Sequence, residues 1–308
     1  MNNSSVLRPL PGTLDWHASI AFGWDSDSGE EPPFSFGELT HDLEEYGGVF
    51  QKLIDDVAQS RYAHLLIPTV NIAEPEFFPE VANPSNEKMV VIDPAHQNET
   101  GLVPKAALWQ SGWRHSMPYV FVRESVYKRL TSAIKILREF NSDLSLCITD
   151  GWRSIDQQTD LYTSFYPNGH VEGEPLYVSP SNTEDRFASP HPSGGAVDVL
   201  IGIGDQAIRI GSDLDYMDVE ANTDHFENEL YEGHIIKMMR RLFSNLKCEV
   251  GFVTLDSEWW HVEYGTRRWA GKTGQDPLYG NATIDLSLYE GIEPVVPIAR
   301  SRRAAMSS

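Results

Sequence analysis

Ser189-Pro190-His191-Pro192-Ser193-Gly194-Gly195-Ala196-Val197-Asp198-Val199-Leu200-Ile201 decides how the rest of this 308-residue chain reads. Pro190 and Pro192 stiffen the segment on either side of His191. Gly194 and Gly195 punctuate it. An apolar run of strand character follows and carries a single acid, Asp198. An ionised carboxylate in such a run is costly to bury without a positive partner. A metal ion is the simplest such partner, with His191 as a second ligand. The reading then requires further ligands, and a catalytic base, elsewhere in the chain.

Glu258-Trp259-Trp260-His261 supplies both. His191, Asp198 and His261 together offer two imidazoles and one carboxylate. That is a three-ligand zinc site with its fourth position open to water, the pattern of a catalytic rather than a structural centre. Zinc lowers the pKa of such a water from 15.7 to about 7. Glu258 lies at an odd offset from His261, so on a regular strand the two would face opposite sides. Both can face one metal only if Glu258 precedes the strand, in a turn that Asp256-Ser257 would suit. A carboxylate beside the metal, but not on it, is the natural general base. Arg153 follows a strand-like run, where a fixed guanidinium could stabilise an oxyanion.

Plainer readings exist for each residue. Arg153 could pair only with Asp150, and Glu258 only with Arg267 or Arg268. Asp213–Asp218 reads as an acidic, solvated turn. Trp259 and Trp260 read as packing residues, one on each face of a strand. His170, His225 and His234 have no partner pattern. The clustering of ligand types favours the metal reading for His191, Asp198 and His261.

Hydrophobic periodicity places the elements. It predicts helices over His41–Tyr62, Arg123–Phe140, Asp156–Phe165 and Glu227–Leu246. It predicts strands at Leu65–Ile67, Val90–Ile92, Leu144–Thr149, Ala196–Ile201, Cys248–Leu255 and Trp259–Tyr264. A long polar loop, Pro167–Ala188, precedes the central motif. Asp25–Glu31 reads as a solvated acidic run and Ala299–Ser308 as a disordered basic tail.

Composition bounds the function. A formal net charge of -21 argues against nucleic acid or anionic lipid as partner. Met1–Gly12 has no apolar core of the secretory kind, and no 18-residue apolar run is present, so a cytoplasmic, non-membrane protein is expected. Cys147 and Cys248 are too few for a disulfide framework and read as buried thiols in strands.

Ser189-x-His191-x-x-Gly194-x-Ala196-x-Asp198 together with Glu258-Trp259-Trp260-His261 resembles the M15 zinc peptidase family. Asp150-Gly151-Trp152-Arg153 narrows the resemblance to its D-alanyl-D-alanine dipeptidase subgroup. Tyr177-Val178-Ser179-Pro180 and Gly211-Ser212-x-Leu214-Asp215-x-Met217-Asp218 are similar to that subgroup too. The resemblance implies one zinc per chain on His191, Asp198 and His261, Glu258 as base and Arg153 as the transition-state arginine. It implies Asp215 as the acid that holds the substrate ammonium and Ser189 as a contact for the substrate's other end. The implied substrate is a small D,D-dipeptide of peptidoglycan metabolism. The similarity spans roughly residues 115–265. The family's Asn-Phe-x-Gly segment has no counterpart here.

The expected fold is therefore α+β. A small, mainly antiparallel sheet would carry helices on one face and the zinc site on the other, in the manner of the Hedgehog and D,D-peptidase domains. The catalytic domain would span 111–270. An irregular N-terminal extension, 1–110, would pack on it, and 271–308 would form a C-terminal extension. Two other functions fit the same residues: hydrolysis of a different small amide in a specialised pathway, and a non-catalytic, zinc-stabilised binding module.

Overall fold

The longest strand among the described residues is the one the central motif announces, and the other elements are arranged along it. The computed structural model describes residues 39–295, apart from 70–72, 112, 114, 174–175, 182–187 and 217. The acidic run at 25–31 and the basic tail at 299–308 lie outside the described residues. In chain order the elements are β1 (Thr40–Asp42), α1 (Gly47–Ala58), β2 (Met89–Val91), α2 (Gln97–Thr100), β3 (Leu102–Pro104), α3 (Ala107–Gln110), β4 (Phe121–Arg123), α4 (Glu124–Arg138), β5 (Leu144–Asp150), α5 (Ile155–Phe165), β6 (Ala196–Ile203), β7 (Gln206–Arg209), α6 (Ile235–Glu249), β8 (Val253–Thr254), β9 (His261–Glu263) and α7 (Arg267–Thr273). Short 3₁₀ turns connect several of them.

The α+β class is as expected, but the sheet is larger and more mixed. Seven strands run in the order β1-β7-β6-β5-β3, with β9 paired to β6 and β8 paired to β9. The pairs β1–β7 and β3–β5 are parallel, and the others are antiparallel. β2 and β4 form a separate antiparallel pair. Strands β1 and β3 come from the first 110 residues, and Phe50, Leu53, Ile54 and Val57 of α1 enter the same core as the central strands. Each of those two strands has three residues, too few for period-two alternation to register in the sequence.

Several expected elements shift for identifiable reasons. Leu65–Ile67 is not a strand: Ala63–Leu66 is a 3₁₀ turn. It buries Leu65 and Leu66 side by side, and Asn245 of α6 donates to the carbonyls of Leu65 and Ile67 at 3.0 and 2.8 Å. Helix α6 begins at Ile235 rather than Glu227. Gly233, at φ +74, breaks the run before it, and Leu230, counted on its apolar stripe, is 90% exposed. The helix continues through Cys248, so that thiol is exposed on a helix and only Val253–Thr254 forms the strand. His41–Tyr62 divides into β1, a 3₁₀ turn and α1. Arg123 ends β4 instead of starting α4. The stripe Val126, Leu130, Ala133 and Leu137 is buried as the periodicity requires. Trp259 and Trp260 precede β9 instead of lying on it, and pack edge to face at 5.8 Å. Both are buried.

β6 is buried from Ala196 to Gly202 and is flanked on both edges. β5 pairs along its length on one side; β9 and β7 share the other. The glycines before it are required by close approach. Gly194 sits at φ +72 and closes the 3₁₀ turn His191–Ser193. A Cβ on Gly195 would lie 2.6 Å from the Tyr264 carbonyl oxygen, on the strand-end backbone that its own carbonyl binds. Backbone cannot yield as a flexible side chain can. Gly195→Ala should therefore lower stability by about 2–3 kcal/mol. Chemical denaturation of the variant checks this, and a loss under about 0.5 kcal/mol, the range of ordinary surface changes, contradicts it.

Candidate metal centre

Strand register brings the acidic and imidazole groups together. Asp198 of β6 stands directly opposite His261 of β9. Opposed residues of an antiparallel pair project to the same side of the sheet. On the other edge, β5 runs in simple register with β6 as far as Ile148 opposite Val199. Without interruption Asp150 would then face Val197 and project away from Asp198. A one-residue shift between Ile148 and Asp150 instead sets Asp150 opposite Asp198. Asp150, Asp198 and His261 thus form a row across three adjacent strands.

His191 joins that row from the 3₁₀ turn preceding β6. Its Nδ1 donates to the Gly151 carbonyl at 2.7 Å, which leaves Nε2 as the lone-pair nitrogen, 3.6 Å from Asp198 Oδ2. His261 is arranged the other way round. Its Nε2 donates to Glu263 Oε1 at 3.2 Å, and its Nδ1 lies 2.9 Å from Asp198 Oδ1. The two rings meet at 66° with centroids 5.1 Å apart. The ligand atoms of His191, Asp198 and His261 all lie within 4.8 Å of one another, and all three residues are buried. A tetrahedral ion with bonds of about 2.1 Å sets its ligand atoms roughly 3.4 Å apart. Two imidazole nitrogens and one carboxylate oxygen are a donor set that suits zinc. The residues present therefore fit a zinc ion.

The electrostatics agree with that donor set. Burial, with the Arg153 charge alongside, pushes His191 down to about 3, so its imidazole is neutral and ready to ligate. Burial alone would lower His261 as well, but Asp198 and Glu263 on its two nitrogens outweigh it and push the ring up to about 10. The site thus holds positive charge at His261 Nδ1, where an ion would replace a proton. Burial opposes ionisation of Asp198, yet the hydrogen bond and charge of His261, with the Arg153 charge, hold it well below the usual carboxylate range.

The remaining residues singled out in the sequence converge on the same cleft. It is lined by Arg153, Ser189, His191, Asp198, Asp215, Glu258 and His261, with apolar walls from Leu108, Leu161 and Val178. Glu258 precedes β9, as the offset from His261 required, and its Oε2 lies 3.9 Å from His261 Nδ1. Its suggested partners are otherwise engaged: Arg267 pairs with Glu80, and Arg268 with Glu263 and Glu74. Burial and the nearby Asp198 charge raise the Glu258 pKa, against the lowering pull of His261 and Arg153. Arg153 does pair with Asp150, at 2.5 Å, but the pair serves the cleft. The guanidinium also donates to Gln158 at 3.1 Å and reaches Asp198 at 3.4 Å.

Asp215 is part of the cleft and not a solvated turn. Its φ of +54 is the left-handed conformation that aspartate tolerates better than most residues. Burial, reinforced by the Asp198 and Glu258 charges, raises its pKa well above the ordinary value. Arg240 holds the flanks of its loop. That buried guanidinium donates to the carbonyls of Ile210, Glu220 and Asn222 and to the Ser212 hydroxyl. His234 does ordinary work, accepting from the Ile236 amide at the start of α6.

Three contributors were not singled out from the sequence: Glu263, Arg268 and the Gly151 carbonyl. Glu263 is 1% exposed, and burial is outweighed by Arg268 and His261, so it stays ionised. Thr266 and Arg268 both hydrogen-bond to it. Its position two residues after His261, on the same face of β9, was the available signal. The Gly151 carbonyl has none, because a backbone oxygen leaves no trace in residue identity. In comparisons with known proteins, no family model matches the chain and no curated protein matches it.

A carboxylate on the far nitrogen of a ligating histidine fixes its tautomer and orientation. Glu263→Gln should therefore weaken zinc binding about 10- to 100-fold. Competition with a chromophoric chelator measures this, and an unchanged affinity contradicts the assignment.

Proposed function

We propose that this chain is a zinc-dependent hydrolase of the M15 peptidase kind, acting on a short peptide, most simply a D,D-dipeptide such as D-Ala-D-Ala. On this reading its mixed sheet is a variant of the Hedgehog and D,D-peptidase fold. One observation carries the proposal. The buried His191–Asp198–His261 set, the Glu258 carboxylate and the Arg153 guanidinium line a single cleft. A binding module needs the ligand set but has no use for a base and an arginine aimed into the same space.

Zinc held by His191, Asp198 and His261 would supply a Lewis acid and a water of lowered pKa, about 7 in such sites. The chain's own groups do the rest. Glu258 accepts a proton from the attacking water as its oxygen adds to the scissile carbonyl carbon. The same carboxyl then delivers that proton to the amine nitrogen as the carbon–nitrogen bond breaks. Its raised pKa suits both halves of the cycle. Arg153, fixed by Asp150 and Gln158, presents a guanidinium that needs no reorientation to stabilise the oxyanion. Asp215 is a half-buried acid among other acids, and a substrate ammonium would relieve that repulsion. A free amino end is thereby selected. Ser189 contacts the substrate's other end.

A panel of D,D-, L,D- and L,L-dipeptides, assayed for released amino acid, tests the proposal. D-Ala-D-Ala should be hydrolysed, and Glu258→Ala should retain zinc while losing about 10²- to 10⁴-fold in turnover. His261→Ala should lose both zinc and activity. Zinc-bound protein that hydrolyses no member of the panel overturns the dipeptidase reading, and undiminished activity in Glu258→Ala overturns the assignment of the base.

A further inference from the structure

The metal cleft is small, with a cavity volume of about 60 Å³. Sites that enclose most of a small ligand run to roughly 300–1,000 Å³. The cleft therefore has room for the reacting groups and little else. It is bordered by a second cavity of about 460 Å³, which shares Ser189, Pro190 and Arg268 with it. The larger space lies behind His261, where Glu263 forms part of its wall.

The walls of this second cavity are built rather than incidental. Phe78, Val81 and Tyr279 supply an apolar body. Arg267 holds the Phe78 side in place. It donates to the carbonyls of Phe78 and Pro79 at 3.3 and 3.1 Å and pairs with Glu80 at 2.7 Å. The Arg268 guanidinium lies 5.7 Å over the Phe78 ring, so one arginine reaches from the metal cleft into the apolar part of the neighbouring space. The segment around Phe78 belongs to the part of the chain outside the M15 resemblance.

We infer that the second cavity receives the carboxyl-terminal part of the substrate, so that the preferred substrate is a peptide with a free amino end extended beyond two residues. This rests on the proposed function in one respect: Ser189 marks the substrate's carboxyl side. A small residue reacts at the metal set, and a following residue with a bulky apolar side chain lies against Phe78, Val81 and Tyr279. The balanced reaction is unchanged: water adds across one amide, and the extended amine leaves.

The test compares D-Ala-D-Ala with D-Ala-D-Ala-Phe, both with free amino ends, by hydrolysis with the zinc-loaded protein and by calorimetric binding to zinc-loaded Glu258→Ala. The extended peptide should show kcat/KM and affinity at least about tenfold higher, the value of burying one aromatic side chain in part. Gly280→Trp should collapse that ratio towards unity by filling the cavity. Gly280 lies on the cavity wall, and a Cβ there meets only Pro84 at an ordinary 3.4 Å, so a side chain is sterically admissible. Asn281→Trp, at an exposed position on the same wall, provides a second plug if the first does not fold. Equal hydrolysis and equal binding of the two peptides overturn the inference while leaving the proposed function standing. A binding preference removed by either plug, with no hydrolysis of either peptide, supports the cavity's role and overturns the proposed function. Binding of neither peptide overturns both.

Discussion

Asp198 is a carboxylate at 3% exposure near the start of the longest strand among the described residues, and the groups around it keep it charged. Burial of an unpaired carboxylate would cost several kcal/mol and drive protonation. Here three cationic or cation-binding groups reach it from three directions: His261 across the sheet, His191 from the turn before the strand and Arg153 from beyond β5. Each is set by backbone geometry. The β6–β9 register determines His261, the left-handed Gly194 ends the turn that presents His191, and the irregularity in β5 turns Asp150 towards the row so that it can hold Arg153.

Much of the site was legible because ligand chemistry is written in residue identity. His191, Asp198 and His261 could be read from the clustering of ligand types, Arg153 from its place after a strand-like run, and the offset from Glu258 to His261 placed Glu258 ahead of its strand. The sheet was less legible. β1 and β3, which were not expected, have three residues each, and β8 and β9, which were, are cut to two and three; such strands are held by neighbours rather than by their own pattern. The start of α6 was misplaced because Leu230 fits an apolar stripe by spacing while Gly233 interrupts the helix. Glu263 was overlooked because a buried acid beside a ligand looks, in sequence, like any polar strand residue. Its role appears only with Thr266 and Arg268 around it.

The cleft has walls from parts of the chain that differ in how well they could be read. The candidate ligands come from β6, β9 and the 3₁₀ turn that precedes β6. Tyr177, Val178 and Ser179 come from the long polar loop, anchored by the Gln158 side chain on the Ser179 carbonyl at 2.7 Å. Leu108 comes from α3, ahead of the region that resembles the peptidase family. Of the groups suited to chemistry, Asp198 and His261 sit on strands, while His191, Arg153 and Glu258 sit on the turns and loops at strand ends. Rigid scaffolds commonly divide work with loops in this way.

Everything rests on a metal occupying the His191–Asp198–His261 set. X-ray absorption at the zinc edge, on purified protein with its zinc content quantified, tests this most directly. About one zinc per chain is expected, with only nitrogen and oxygen neighbours at about 2.0–2.2 Å, imidazole scattering from two rings, and loss of the signal in Asp198→Ala. Protein that takes up no zinc, or zinc with sulfur at about 2.3 Å, would contradict it.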